Sequence, residues 1–270
     1  MRLDRPQLDH LCAIAREAGR EIMAIYGRAF TVWTKDDASA LTEADLRADQ
    51  VIRQGLEAAF PATYLWSEES RSSGSTETGV FFLVDPLDGT KEFLQRNGEF
   101  TVNIALIAAG RPVAAVVLAP ASGALYFAAE GLGAWKQGPQ GPVPLRVQAP
   151  DPGQPLPVLG SRSHGTDAVG VWLNQLGRPW VLHPVGSSLK FCQMAEGLGA
   201  LYPRFGPTCQ WDTAAGQCIL EQAGGAVVDR HGQALAYGLQ RPILNPYFVA
   251  LADPASAGLL PPWPAEAPAP

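Results

Sequence analysis

Asp85 and Asp88 lie three residues apart in the stretch FFLVDPLDGTKE at 81–92, on either side of a proline. Carboxylates placed this way, where an apolar run ends, converge on one point and make an all-oxygen site suited to a hard divalent cation. Phe81-Phe82-Leu83-Val84 reads as a buried strand. Pro86 restricts the backbone just beyond it, so the acids sit where the strand stops. Glu68 in SEES at 67–70 and Asp212 in WDTAAG at 211–216 supply carboxylates from two further segments. Each has a plainer use when taken singly. Asp212 is placed to N-cap a helix, Asp85 to make a turn, and Glu68-Glu69 to form a solvated pair.

The elements that must position these acids follow from the apolar pattern. Helical spacing runs over 6–27 and 43–59, the second helix with Thr42 as N-cap and Pro61 just past its end. A short strand at 62–66 leads into Ser67-Glu68-Glu69-Ser70, and a polar surface loop follows at 70–79. After the DGT turn, 100–109, 112–119 and 124–129 predict an antiparallel meander, punctuated by Gly110-Arg111-Pro112 and Pro120–Gly123. Residues 137–157 are rich in Pro and Gly and read as the boundary between two lobes. Beyond it, strands at 156–161, 180–185, 201–205 and 225–229 alternate with helices around 166–176, 187–198 and 211–223, which predicts a mixed α/β lobe. From Asp253 onward the chain is Ala/Pro-rich and without period, a tail outside the core.

Composition narrows the partners. Of 270 residues, 47% are apolar and 17% charged, the net charge is -6, and no Lys/Arg-rich block occurs. A broad basic face for nucleic acid is therefore excluded, and an anionic substrate would have to be drawn in by metal ions and a few local cations. Cys12, Cys192, Cys209 and Cys218 show neither a CxxC pair nor zinc spacing, and read as reduced, mostly buried thiols. No secretory apolar region and no stretch of spanning length is present, so a soluble, cytoplasmic protein is expected.

SEES at 67–70, DPLDGTKEF at 85–93 and WDTAAGQCILEQAGG at 211–225 together resemble the three signatures of the inositol monophosphatase superfamily. The longer strings DPLDGTKEFLQRNGEFTVNIAL, SRSH, GSSLKF and LYPRFGPT resemble one bacterial branch, the 3′(2′),5′-bisphosphate nucleotidases. The resemblance implies an α/β (α+β) fold of layered αβαβα type, with an antiparallel sheet lobe at 1–145, a mixed α/β lobe at 146–252 and the tail at 253–270. It implies a lithium-sensitive phosphomonoesterase that uses two Mg²⁺ ions, with a third, weaker ion near Glu68. Glu68, Asp85 and the carbonyl of Leu87 would hold the first ion, and Asp85, Asp88 and Asp212 the second. Thr90 would aim the attacking water, with Asp45 accepting from its hydroxyl. The residues alone offer another use for Asp45, a capping box with Thr42. The N–H groups of the 88–90 turn, Gly89 and Thr90 included, are placed to bind phosphate oxygens.

The implied substrate is adenosine 3′,5′-bisphosphate, with 3′-phosphoadenylyl sulfate as a second one, in sulfur assimilation. Its second phosphate needs cations. Arg162, His164, Lys190 and Arg204 all fall in the second lobe. Of these, Lys190 and Arg204, with Ser187, are expected on the 5′-phosphate or ribose, and His164 near the base or sugar. Lys35 is expected to approach the acids. The rival readings are an inositol or sugar-phosphate phosphatase, which needs no second-phosphate pocket, and a non-catalytic binding protein, which the complete acid set argues against. A monomer and a homodimer are equally compatible with the sequence, and although some relatives associate with the inner face of the membrane, nothing here supplies an anchor.

Overall fold

The computed structural model describes residues 1–35, 40–71, 76, 79–162 and 166–265. Helix α1 (Arg5–Tyr26) begins at a capping box in which Asp4 accepts from the Gln7 N–H at 2.9 Å and Gln7 accepts from the Asp4 N–H at 3.0 Å. A short antiparallel hairpin, β1 (Val32–Thr34) and β2 (Ala40–Thr42), leads into α2 (Glu43–Ala59). The chain then builds β3 (Tyr64–Ser67), β4 (Val80–Asp88), the one-turn helix α3 (Thr90–Leu94), β5 (Thr101–Ala108), β6 (Arg111–Ala119), β7 (Ala124–Ala129), β8 (Gly133–Gly138) and β9 (Gly141–Pro144). These strands form one sheet in the order β3-β4-β5-β6-β7-β8-β9, antiparallel except for β3 beside β4.

The expected meander is present, and β8–β9 extends it into residues whose Pro and Gly content predicted an inter-lobe boundary from 137. β9 is an edge strand, where Pro142 and Pro144 remove no ladder bond that the sheet requires, and the chain passes to the second sheet between Pro144 and Leu156. Gly141, at φ 118°, makes the turn.

The second half contributes β10 (Leu156–Ser161), α4 (Thr166–Leu173), β11 (Trp180–Val185), α5 (Leu189–Ala195), β12 (Leu201–Arg204), α6 (Gln210–Gln222), β13 (Ala226–Asp229) and β14 (Phe248–Leu251). Its sheet runs β11-β10-β12-β14-β13, with β10 parallel to both neighbours and β14 antiparallel to β12 and β13.

The layers follow from strand alternation. Phe82 and Val84 of β4 join the core formed by α1 and α2, while Phe81 and Leu83 face the other way. There they meet α5 and α6 through Phe191, Met194, Ala214 and Ile219, which also cover Tyr202 and Phe248 of the second sheet. On the far side of that sheet, Val158 and Val249 pack with Trp172 and Leu173 of α4. The result is an αβαβα sandwich whose middle helical layer is shared by both sheets, with a further cluster of second-half residues on the outer face.

The stretch from Asp253 departs from its reading as a free tail. Residues Pro254–Leu259 form 3₁₀ turns capped by Asp253, and Trp263 meets Phe205 edge to face at 5.7 Å. Ala257, Leu260 and Trp263 recur at three-residue spacing, so sparse apolar residues cover the outer face of the second sheet. Among the described residues no helix is long and apolar enough to cross a membrane.

Candidate active site

β4 pairs with β5 up to Asp85 opposite Asn103, and the register shifts before Asp88 meets Thr101. Pro86 cannot donate to the ladder, so the strand bulges there and delivers the two carboxylates at its end. Asp85 is buried, and its Oδ1 accepts from the Leu87 N–H at 3.0 Å. Glu68 is placed beside it because β3 runs parallel to β4 and the Glu68 N–H donates to the Val84 carbonyl at 3.0 Å. Asp212 arrives in the first turn of α6, where its Oδ2 accepts from the Cys209 N–H at 2.7 Å. Asp212 is therefore not the N-cap expected from the sequence: Cys209 holds that position, and Asp212, the third residue of the helix, bonds back to it while also lining the cavity described below. Gly89 sits at φ 92°, and a Cβ there would lie 3.1 Å from the Glu99 carbonyl, so the turn into α3 needs glycine. Thr90 opens α3 with its hydroxyl 3.4 Å from the Leu87 carbonyl.

Crowding of negative charge dominates the electrostatics. Burial pushes the Asp85 carboxyl well above the usual range, and the charges of Glu68, Asp88, Asp212 and Asp45 push it further. Asp212 is raised by burial and by Asp88, and Asp88 by burial against the opposing pull of Lys190 and Ser188. Asp45 is pushed up to about 6 by burial, although Thr42 donates to it from its hydroxyl at 2.6 Å and from its N–H at 2.8 Å. The structure thus completes the capping box at Asp45. Glu69 is raised to about 7, chiefly by burial.

Lys35 reaches this cluster, with Nζ 2.6 Å from Glu68 Oε1 and 2.5 Å from Glu69 Oε1. Burial disfavours its charge, but the two ion pairs more than compensate and raise its pKa. Its ammonium is the cation that touches the acids. Among the described residues no three acidic, His or Cys side chains are drawn around a single point. Glu68 is turned onto Lys35, Asp88 onto Ser188 and Asp212 onto the Cys209 N–H. The donors are all hard oxygens, and their mutual repulsion is what a divalent cation would relieve. The set fits such an ion.

A cavity of about 430 Å³ joins Glu68, Asp85, Leu87, Asp88, Gly89, Thr90 and Asp212 to Ser187, Lys190 and Arg204 of the second lobe. Lys190 is buried, donates to the Ser187 carbonyl at 2.6 Å and the Val185 carbonyl at 3.1 Å, and has its pKa lowered by burial to about 8. Two of the three ammonium donors are used, which leaves one N–H. Arg204 is buried, with Nη2 on the Pro207 carbonyl at 2.7 Å and Nε without a partner. Ser187 holds a left-handed backbone at φ 46°, and its Oγ is buried without a partner. Arg162 does not reach the cavity; it grips Glu99 instead. His164 lies outside the described residues.

Sequence reasoning missed Ser188 and Asn103. The Ser188 N–H donates to Asp88 Oδ2 at 2.6 Å, and its hydroxyl lies 2.9 Å from that oxygen and 2.7 Å from the Asp212 carbonyl. Asn103 Nδ2 donates to Ser188 Oγ at 2.9 Å. One hydroxyl therefore ties Asp88 of the first sheet to the start of α6. Ser188→Ala is expected to lower kcat/KM for phosphate release about tenfold if these carboxylates act as the sequence resemblance implies, the loss that follows removal of a bond orienting a metal-binding side chain. A wild-type value in steady-state assays would show that the tie is idle.

A sequence profile of the Inositol monophosphatase family matches residues 4–258. A curated relative from Salmonella typhimurium, named 3′(2′),5′-bisphosphate nucleotidase CysQ, is 46% identical over 245 residues, covering 89% of this chain and 98% of its own. The protein of that name from Escherichia coli K12 matches to the same extent. Among solved structures, CysQ from Bacteroides thetaiotaomicron, described as a bacterial member of the inositol monophosphatase family, superposes with a TM-score of 0.79 at 34% identity, over 92% of this chain and 97% of that one.

Proposed function

We propose a function from one premise: the chain belongs to the inositol monophosphatase family. It is a phosphomonoesterase that removes the 3′-phosphate of adenosine 3′,5′-bisphosphate, yielding AMP and phosphate, with 3′-phosphoadenylyl sulfate as a second substrate. The 46% identical relatives named as bisphosphate nucleotidases support this reading. The observation that carries it is the pair of buried cations, Lys190 and Arg204, lining the same cavity as the acid cluster. Asp88 already faces Lys190 and Asp212 faces Arg204, but Arg204 Nε is left buried without a partner, and a second phosphate would supply one.

The acids divide as the family pattern implies: Glu68, Asp85 and the Leu87 carbonyl for one Mg²⁺, and Asp85, Asp88 and Asp212 for another. When bound, the ions neutralise phosphate charge and supply an activated water. The N–H groups of Gly89 and Thr90 would hold phosphate oxygens, and the Thr90 hydroxyl, which lies on the Leu87 carbonyl, would turn to direct the water with Asp45, bonded here to Thr42, as its acceptor. Ser187, Lys190 and Arg204 take the 5′-phosphate and ribose, and His164 the base or sugar. Lithium inhibits by entering a magnesium position. The reaction is cytoplasmic and serves sulfur assimilation.

A phosphate-release panel tests this reading. Adenosine 3′,5′-bisphosphate is expected to exceed inositol 1-phosphate in kcat/KM, and the reverse order would return the chain to the inositol phosphatases. Arg204→Gln is expected to lower kcat/KM on the bisphosphate roughly 10- to 100-fold, the worth of a charge-assisted hydrogen bond, with much less effect on a single-phosphate substrate. Equal losses on both would remove Arg204 from the second-phosphate pocket.

A further inference from the structure

The turn that delivers Thr90 and the connection that carries Ser187 and Ser188 into α5, whose first turn holds Lys190, follow strands of different sheets, and besides the Asp88–Ser188 bonds a second carboxylate ties them. Glu99 lies between α3 and β5. Arg162, directly after β10, grips it with two parallel bonds, Nε to Oε2 at 2.9 Å and Nη2 to Oε1 at 2.7 Å. Oε2 also accepts from the Gly186 N–H at 2.7 Å, and Arg162 Nη2 reaches the Pro184 carbonyl at 3.0 Å. Glu99 therefore fixes the ends of β10 and β11 against the first sheet, at the residue before Ser187.

Packing at the same place leaves no slack. A Cβ on Gly186 would lie 2.7 Å from the Glu99 carbonyl and 2.8 Å from the Glu99 Cβ. One on Gly89 would lie 3.1 Å from that carbonyl and 3.3 Å from the Ser187 Cβ. The Glu99 backbone is thus wedged between the glycine of the hydrolytic turn and the glycine of the second-lobe loop. An exposed ion pair adds little to stability, but a bidentate fork with a third bond specifies position.

We infer that Glu99 and Arg162 form a positioning clamp that holds Ser187, Ser188 and Lys190 in register with Gly89 and Thr90, so that both phosphates of a bisphosphate are seated at once. The inference rests on the nucleotidase reading. A lone phosphate at the Thr90 turn is held by the first lobe, whereas a second one spans to Lys190 and feels any shift of 186–190 against 88–90. Misplacement by about 1 Å costs on the order of 10²-fold in rate.

The test compares wild type, Glu99→Gln, Arg162→Lys and the double variant on adenosine 3′,5′-bisphosphate and on p-nitrophenyl phosphate, both with Mg²⁺. Glu99→Gln keeps an acceptor for Gly186 but loses the charge facing Arg162, and Arg162→Lys keeps the charge but loses the fork. Each single variant is expected to lose roughly 10- to 100-fold in kcat/KM on the bisphosphate, with KM raised, Tm unchanged and a several-fold smaller loss on the aryl phosphate. The double variant is expected to be no worse than the poorer single. Equal losses on both substrates, or losses that multiply in the double variant, overturn the clamp. A wild type faster on inositol 1-phosphate than on the bisphosphate overturns the nucleotidase reading and the clamp that rests on it, whereas equal or multiplying losses in a wild type that prefers the bisphosphate overturn the clamp alone.

Discussion

Asp88→Asn is expected to lower Mg²⁺-dependent phosphate release on the order of 10³-fold while leaving the metal-free protein as stable as wild type or more so. The two halves of this result have one cause. Asp88 is raised in pKa by burial beside Asp85 and Asp212, and its own charge raises both of theirs. Folding therefore brings like charges together at a cost, which is tolerable only where function needs them. The amide is isosteric, and its oxygen can still accept from the Ser188 N–H that now donates to Asp88 at 2.6 Å. Shape and the inter-sheet tie survive, and the repulsion of both Asp85 and Asp212 is relieved, which offsets the loss of the single Lys190 attraction. What is lost is an anionic oxygen at the bulge after Asp85, where the proposed ions and the phosphate must meet. Thermal melts in EDTA and single-turnover assays with Mg²⁺ decide the matter. Near-wild-type turnover would remove Asp88 from the reaction, and a melt several degrees lower would show that its charge stabilises the fold.

How much of this site was legible in the sequence depends on the range over which each contact acts. Asp85 and Asp88 could be found because the signal is local: an apolar run, a proline and two acids within one strand and its bulge. Glu68 and Asp212 end or begin elements of readable period, but singly they read as a solvated pair and a helix cap, and only the resemblance joins them to Asp85 and Asp88 in one expected site. Ser188 was not, because a serine ahead of a helix looks the same whether it caps that helix or, as here, turns to Asp88, which lies 100 residues earlier in the chain. Asn103 was hidden as one polar residue in the strand FTVNIAL. The Glu99–Arg162 pair spans 63 residues and has no local signature. The five layers came from the resemblance, since alternation along FFLV shows two buried faces but not what covers them. Composition does not show what local contacts add: the Pro/Gly-rich stretch after 137 begins in an edge hairpin before the chain passes to the second sheet, and the Ala/Pro-rich end packs Trp263 on Phe205.

The same crowding predicts an inverted acid response. In the metal-free protein, Tm is expected to rise as pH falls from about 8 toward 5, opposite to ordinary acid denaturation. A carboxyl whose folded pKa is raised takes up its proton in the folded state first. Its destabilising charge is therefore shed as pH falls through the folded value, and the gain is complete near the unfolded value. Asp45 moves from 3.8 to about 6 and Glu69 from 4.5 to about 7, which sets the window at about 4 to 7, and Asp85, Asp88 and Asp212 shift in the same direction. Three groups act outside this window. Lys190 is lowered to about 8 by burial, so its unfavourable charge is taken on as pH falls from about 10.5 toward 8, above the window. Glu99 is lowered, held by Arg162 against the effect of burial, so its contribution is lost only as pH falls below the ordinary glutamate range. Lys35 is raised, and its contribution is constant until alkaline pH. One pKa unit is worth about 1.4 kcal/mol, and because protonating one acid relieves its neighbours, the total is a few kcal/mol rather than the sum of the parts. Saturating Mg²⁺ should reverse the trend. It binds the deprotonated acids, adding about 2.7 kcal/mol at a hundred times its Kd near pH 8, and protons displace that gain toward pH 5. Scanning fluorimetry across this pH range, in EDTA and in Mg²⁺, is expected to give two curves far apart at pH 8 that converge at pH 5. A metal-free Tm that falls steadily over the same range would mean the acids are not held together as charges, and would remove the ground for reading them as one site.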